Sequence, residues 1–456
     1  MSRRTVRDDP NRPFVGDSTP PQLEDHRPRY RPRTFAALEF RPFRWYMGAM
    51  IWWNAAMSMQ LLVRGYLAYQ LTDSFTSLGI VSLGVGIPML MLAPLGGVIA
   101  DRTSRRTVTQ IGQSISVGIA ITVAVLLFAH QLEFWHLVIS SIAHGTMVAL
   151  VMPSRQAFLP DVVGTPRLMN AIPLQTAGMN VMQILAPVLG GFMIDWIGPA
   201  WVYTSIVGMT AMSVLMLFFV KSLSPEELDL IYLSAPTNAR DPDCAPSPRT
   251  SGFARESTAL GDLSGGFAYL LRDRTILSIL SFSFIVSALG MPIRLLLPGY
   301  VGAVFSDEGS TLGLLQTGMG IGALLGALGL ASLRVRRRRG LLLAGSSVLL
   351  GVALIGFSLT SIIWLAWLGL LIVGIASTGR TTMSQLLIQE YVEEDYRGRV
   401  TSIFMIQASM MTLGAFVVSI YMESVGPEFA IGSVGALLIL ATIMYLILVP
   451  SLRRVA

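Results

Sequence analysis

The sequence predicts an all-α integral membrane protein of twelve transmembrane helices in two six-helix halves, and three observations predict it. Hydrophobic residues make up 53% of the 456 positions and charged residues 13%, about half of the roughly 25% usual for soluble domains. The mean hydropathy is +0.61. The apolar runs are each long enough for a hydrocarbon core, which takes about 20 residues to cross. The basic residues fall on one side of those crossings. A water-soluble enzyme of two or three domains is excluded by the first observation alone.

The stretch 1–44 is polar and rich in Arg and Pro, has no feature of a signal peptide, and reads as a disordered cytoplasmic tail. Apolar runs at 45–69, 77–100, 107–129, 134–157, 169–194 and 200–221 then form a first bundle, 45–221. The segment 222–274 mixes Pro, Ser, Asp and Arg, as a flexible cytoplasmic connection does. Its last part places Leu260, Leu263, Phe267, Leu270 and Leu271 at helical spacing. That pattern fits an amphipathic helix on the membrane surface or a fold-back onto the cytoplasmic helix ends. Six further runs, 275–302, 311–333, 340–360, 362–386, 401–422 and 428–450, make the second bundle, 275–450, followed by a cytoplasmic tail, 451–456.

Charge sets the orientation. The formal charge is +6 and Lys221 is the one lysine among 33 basic residues. Arg41, Arg44, Arg102, Arg105, Arg106, Arg167, Arg272, Arg274, Arg336 to Arg339, Arg397, Arg399, Arg453 and Arg454 share one side if odd helices run outward. The six opposite loops contain no Lys or Arg. Basic residues beside spans stay cytoplasmic, so both termini are expected in the cytoplasm of a multi-pass inner (plasma) membrane protein. The positive charge records topology, and no nucleic-acid partner is expected. Cys244 stands alone, which excludes an intramolecular disulfide and a cysteine-based metal site; no cofactor and no metal are expected.

An internal repeat supports two halves. Thr76-Ser77-Leu78-Gly79 through Gly84-Val85-Gly86-Ile87 matches Ser310-Thr311-Leu312-Gly313 through Gly318-Met319-Gly320-Ile321, and at the same offset Arg102 and Arg105 fall opposite Arg336 and Arg339. Parallel six-helix repeats are a transporter signature.

The cytoplasmic end of the second span reads Gly97-Val98-Ile99-Ala100-Asp101-Arg102-Thr103-Ser104-Arg105-Arg106. It resembles the G-x-x-x-D-R-x-x-R-R signature of the major facilitator superfamily, and with the twelve spans the resemblance covers nearly the whole membrane part. The resemblance implies a cytoplasmic gating latch built from Gly97, Asp101, Arg102, Arg105 and Arg106 that holds the halves together in the outward-open state. Thr103 and Ser104 depart from the aromatic residue and Gly common there, and the second copy has Val335 in place of the acid. Tyr66 to Thr72, Pro153 to Pro160, Asn170-Ala171 and Arg397 to Val400 resemble a bacterial multidrug and macrolide-efflux and enterobactin-exporter-like branch. Ala186-Pro187-Val188-Leu189-Gly190-Gly191 is similar to the end of the antiporter motif G-P-x-x-G-G, with Ala186 in place of the first Gly.

That fold lines its central cavity with helices 1, 4, 7 and 10. Helix 1 offers Asn54, Ser58, Gln60 and Arg64 over an arc of about 160°. Helix 10 offers Ser377, Arg380, Thr381 and Ser384; helix 4 offers His144, Arg155 and Gln156; helix 7 offers Ser283, Ser287 and Arg294. Ionisable residues inside a span face a cavity or a partner. Arg64 and Arg294, in the outer halves of their helices, would favour an anionic or acceptor-rich substrate. Arg155 and Arg380 lie near cytoplasmic helix ends, where snorkelling or helix clamping is the other reading. All 27 acidic residues fall in tails, loops or span ends, so Asp101, Asp161 and the mid-span His144 are the candidate proton-coupling groups, with packing the alternative for His144.

The expected function is secondary active export of amphipathic small molecules, drugs or siderophore-like metabolites, by alternating access, with protons as coupling ion and the chain acting as a monomer in the bilayer. The alternatives are an importer of a polar metabolite and a non-transporting membrane sensor. No H-E-x-x-H, G-x-S-x-G or phosphate-binding loop occurs, so an enzyme is not expected and no catalytic residue is named.

Overall fold

The computed structural model describes residues 36–164, 168–220, 273–305, 309–332, 339–392, 396, 400 and 403–449, all within the compact unit Phe35–Ala456. The tail before residue 36, the connecting segment 221–272 with its amphipathic stretch, and the C-terminal tail lie outside the described residues. Twelve long helices follow one another: α1 Arg41–Thr72, α2 Phe75–Arg102, α3 Arg105–Phe128, α4 Phe134–Val163, α5 Leu168–Ile197 and α6 Pro199–Phe218. Then come α7 in two pieces, Arg274–Gly290 and Ile293–Phe305, α8 Gly309–Ser332, α9 Arg339–Ser358, α10 Ile363–Tyr391, α11 Gln407–Val425 and α12 Pro427–Leu448. Among the described residues no strand occurs.

Eleven of these helices are long and apolar enough to cross a membrane. The other, α1, has the length, 32 residues. Its apolarity falls short because Trp52, Trp53, Asn54, Ser58, Gln60 and Arg64 interrupt the run. The expected tail boundary at residue 44 needs correcting. A helical turn, Ala36–Glu39, precedes α1, and α1 opens at Arg41 with a proline in its first turn, a position where the missing N–H costs nothing. Phe43 and Tyr46 are buried there, and Tyr46 meets Phe158 edge-on at 5.6 Å. Helix 7 is likewise not continuous, being interrupted at Met291 and Pro292, where the ring removes a backbone donor.

Local chemistry explains the ends. Ser104 accepts from the Thr107 N–H at the start of α3, and Asp273 accepts from the N–H groups of Thr275 and Ile276 at the start of α7. Glu133 and His136 form a reciprocal cap on α4. The sharpest turns are Gly198-Pro199 and Gly426-Pro427, at corresponding points of the two repeats. Each glycine has φ near +87°, +86° and +88° respectively, a region a side chain rarely enters, and each proline starts the next helix.

Packing repeats with the sequence. Helix α2 lies on α4 and α8 on α10; α3 lies on α6, and α9 on α12; α3 lies on α4, and α9 on α10. Both α2–α4 and α8–α10 come close enough for backbone contact, as small residues allow between membrane helices. A Cβ on Gly145 would sit 2.5 Å from the Val85 carbonyl oxygen, and one on the corresponding Gly374 would sit 2.8 Å from the Ala323 nitrogen. Since backbone cannot yield, Gly145→Val and Gly374→Val should each destabilise by about 1–3 kcal/mol. Thermal unfolding in detergent should show lowered midpoints for both, with no change for Gly118→Val, where the space is open.

Polar side chains tie further helices together. Ser213 of α6 donates to the Ala49 carbonyl of α1 at 2.8 Å and lies 3.0 Å from the Gln113 amide oxygen of α3. Tyr445 of α12 donates to the Ser278 carbonyl of α7 at 2.8 Å.

Two seams join the first six helices to the last six: α2 against α11 and α5 against α8. They exchange under the repeat. A Cβ on Gly79 would strike Phe416 and Ser419, while one on Gly313 would strike Val188 and Gly191. Lower down, Gly86 abuts Thr412 and Gly320 abuts Ile184. Near the basic-poor end α1 also meets α7, with Gly65 against Pro298. Toward the arginine-bearing end the same helices are uncovered. Leu78 and Leu312 are each 1% exposed, whereas Met91 and Leu325, at corresponding positions further along, are 71% and 48% exposed.

Candidate functional site

Helix α10 carries the most heavily buried charge of the described spans. Arg380 is 0% exposed. Gln407, at the start of α11, turns its amide oxygen to the guanidinium and accepts from Nη2 at 2.7 Å and Nη1 at 2.8 Å. Thr381 lies 3.4 Å from Nη2 and donates to the Ser377 carbonyl at 2.7 Å. One turn along α10, Ser384 lies 2.9 Å from Ser283 of α7, and Ser287 of α7 donates to the Gln407 carbonyl at 3.2 Å. Six polar side chains from α7, α10 and α11, all buried but Thr381, thus lie along this contact. A guanidinium has five donors; the amide answers two, and Nε finds no acceptor. Among the described residues no carboxylate is paired with Arg380.

The α1 candidates have other surroundings. Arg64 is buried, and its Nε and Nη2 find no acceptor. Tyr203 of α6 and His144 of α4 are its polar neighbours, so the guanidinium is enclosed by helices of the first six. Asn54 donates to the Met50 carbonyl of its own helix at 2.7 Å, and Ser58 and Gln60 are buried beside it in sequence. His144 is buried with Nδ1 unbonded. Arg155 lies near Tyr46, whose hydroxyl meets Gln175 of α5. Arg294 opens the second piece of α7, partly exposed. The structure therefore does not bring Arg64 and Arg380 into one cluster; each belongs to its own set of six helices.

At the arginine-bearing end, Arg105 Nη1 donates to both oxygens of Asp161 and to the Ala157 carbonyl, all at 3.0 Å. Arg106 donates to the Phe218 carbonyl at 2.8 Å. These bonds hold α3 to α4 and α6. The repeat reproduces the first of them, because Arg339 of α9 pairs with Glu390 of α10. Arg102 is exposed, and a Cβ on Gly97 would meet nothing within 4 Å. Asp101 lies in the last turn of α2, and its side chain falls outside what the structure describes, as do residues 397–399 before α11. Asp161 is thus engaged with Arg105 across α3 and α4.

Several site residues carry no motif. Gln407, Tyr203, Tyr46 and Gln175 are single polar residues in apolar runs, and only packing pairs them with arginines. Asp195 and Glu423 are different, since both stand three residues before a Gly-Pro, a shared spacing that the sequence displays.

Twelve helices in two repeated sets, meeting along α2–α11 and α5–α8 with buried cations between apolar walls, define a membrane transporter architecture. Residues 45–415 match the Major Facilitator Superfamily, and the chain belongs to that family. Among curated relatives it is 24% identical over 352 residues to the staphyloferrin A transporter of Staphylococcus aureus, covering 76% of this chain and 81% of the relative. It is 23% identical over 401 residues to the enterobactin exporter EntS of Citrobacter koseri, covering 84% and 86%. Among solved structures it resembles the nucleoside transporter NupG, with TM-score 0.69 at 12% identity over 89% of this chain and 98% of that one. A POT family transporter in complex with 5-aminolevulinic acid gives TM-score 0.68 at 13% identity, over 90% and 96%. At those identities the structures share the fold.

Proposed function

We propose that the chain is a secondary active exporter of anionic, acceptor-rich small molecules of the siderophore kind, working by rocking of residues 45–221 against 275–450. The observation that carries this reading is Arg380, a buried cation held by the neutral amide of Gln407 rather than by a carboxylate. A buried charge left without an opposite charge is costly. An anionic group that displaces the amide gains a charge-assisted, two-pronged contact with the guanidinium. The spans add further cations, Arg64, Arg155 and Arg294, and no mid-span acid, which disfavours cationic drugs. The relatives named for staphyloferrin A and enterobactin support the same substrate class.

With arginines cytoplasmic, the uncovered ends of α2 and α8 face the cytoplasm and the seams close the outside, so this state is inward-open. In this reading the latch of Gly97, Asp101, Arg102, Arg105 and Arg106 belongs to the opposite state. Proton coupling falls in this reading to His144, whose Nδ1 has no partner. The protein is read as a plasma-membrane monomer with both termini cytoplasmic.

The test is binding to purified protein in nanodiscs, with radiolabelled enterobactin or staphyloferrin A against a lipophilic cation such as ethidium. Saturable binding of either chelator, not displaced by the cation, supports the reading. Saturable binding of the cation alone overturns it.

A further inference from the structure

At the basic-poor end of the molecule, two carboxylates reach across the two seams. Glu423, in the last turn of α11, accepts through Oε2 from the N–H of Phe75 at 2.6 Å, the N–H of Thr76 at 3.2 Å and the hydroxyl of Ser74 at 2.9 Å. It thereby caps α2. Asp195, in the last turn of α5, accepts from the N–H of Gly309 at 2.7 Å through Oδ1 and from the N–H of Ser310 at 2.8 Å through Oδ2. It caps α8. The two arrangements are one device used twice. Asp195 and Glu423 each stand three residues before the Gly198-Pro199 and Gly426-Pro427 turns, and Phe75-Thr76 corresponds to Gly309-Ser310 in the repeat. The N-cap residue of α2, Ser74, makes no side-chain cap bond to these amides.

We propose that Asp195 and Glu423 form a paired outer latch that locks the seams of the inward-open state. The physical case is the geometry of ownership. An ordinary cap belongs to its own helix and survives any rigid movement. Here the acid sits at the carboxyl end of one helix, where the dipole disfavours it, and reaches the amino end of a helix from the other six, where the dipole favours it. Parting the seams removes both contacts and returns each acid to the unfavourable end. The caps therefore stabilise one state of the cycle and not the other. The close contacts of Gly79 and Gly313 lie one turn below each latch, so the caps and the seam close together. The device rests on the two-state rocking proposed above.

Spin labels on a Cys244→Ser background read the two ends separately. One pair is Gln131 with Ser361, in exposed loops of the basic-poor end; the other is Thr107 with Leu341, exposed at the arginine-bearing end. In nanodiscs, Asp195→Ala and Glu423→Ala should each raise the outer-open population relative to inward-open about 5-fold. The double variant should raise it roughly 25-fold, because the two sites are far apart and additive. The Gln131–Ser361 distance should lengthen as the Thr107–Leu341 distance shortens. Asp195→Glu with Glu423→Asp, which keeps both charges, should restore the wild-type distributions. Distances unmoved in the double variant, including the case in which only its thermal stability falls, overturn the latch. Substrate binding by the wild type is measured in parallel. Lost binding with moved distances overturns the substrate reading alone, and intact binding with unmoved distances overturns the latch alone.

Discussion

Arg380→Gln should lower substrate transport at least about 30-fold while the protein remains folded, and Arg380→Lys should recover only part of the loss. Removing one partner of a buried, hydrogen-bonded charge contact costs about 2–5 kcal/mol, which sets that factor. Arg380 is the largest fully buried side chain described, and two of its donors meet one amide oxygen of Gln407. Lysine keeps the charge but not the planar fork, so it binds an anion at one point instead of two. Gln407→Leu separates the two roles of the contact. It leaves the guanidinium without its neutral acceptor, and transport should fall less than with Arg380→Gln, because the cation proposed to meet the substrate remains. Transport assays in proteoliposomes, read beside size-exclusion profiles for each variant, check the series. Equal losses for Arg380→Lys and Arg380→Gln with unchanged folding would contradict a role for the charge; full activity of Arg380→Gln would remove the residue from the site.

Gly79→Val and Gly313→Val should each reduce transport about 5- to 150-fold by holding the outer seams apart. A Cβ on Gly313 would lie 2.7 Å from the Pro187 carbonyl oxygen and 3.2 Å from the Gly191 Cα; one on Gly79 would lie 2.9 Å from the Phe416 Cα. All three obstacles are backbone, so relief comes only from separating the helices. Overpacking of this kind costs about 1–3 kcal/mol. That cost falls on the seam-closed state and so appears as a population shift of the stated size. The spin-label pair Gln131 and Ser361 should report a longer outer distance in both variants. Gly208→Val provides the control, since its added side chain meets open space. The two seams should respond alike because they exchange under the repeat. A large effect at Gly79 with none at Gly313 would contradict the paired reading.

The legible part of this molecule is the part governed by hydrophobic period and charge placement. Twelve apolar runs, arginines on alternate loops and the Gly79–Gly86 against Gly313–Gly320 match together read as a two-fold repeat, and the helices follow it. The start of α1 was less legible because Phe40 to Tyr46 mixes aromatics with Arg41 and Arg44. Burial of Phe43 and Tyr46, rather than polarity, decides that the helix begins there. The candidate site was legible as residue types but not as partners. Arg64 and Arg380 both stand out as charges in apolar helices. Which neighbour each meets depends on helix rotation, and the rotation turns Arg64 toward Tyr203 and His144 and Arg380 toward Gln407. Asp195 and Glu423 were readable as repeated positions, yet their role depends on how two seams bring helix ends together across the sequence.

Counterflow in proteoliposomes of the purified wild-type chain tests the central claim most directly, because exchange requires alternating access to one site and does not depend on the direction of net transport. Vesicles preloaded with unlabelled enterobactin or staphyloferrin A should transiently concentrate the same labelled chelator from outside, in a saturable manner lost in Arg380→Gln. Accumulation of ethidium in the parallel experiment, with no exchange of either chelator, would contradict an anion-carrying transporter built around Arg380.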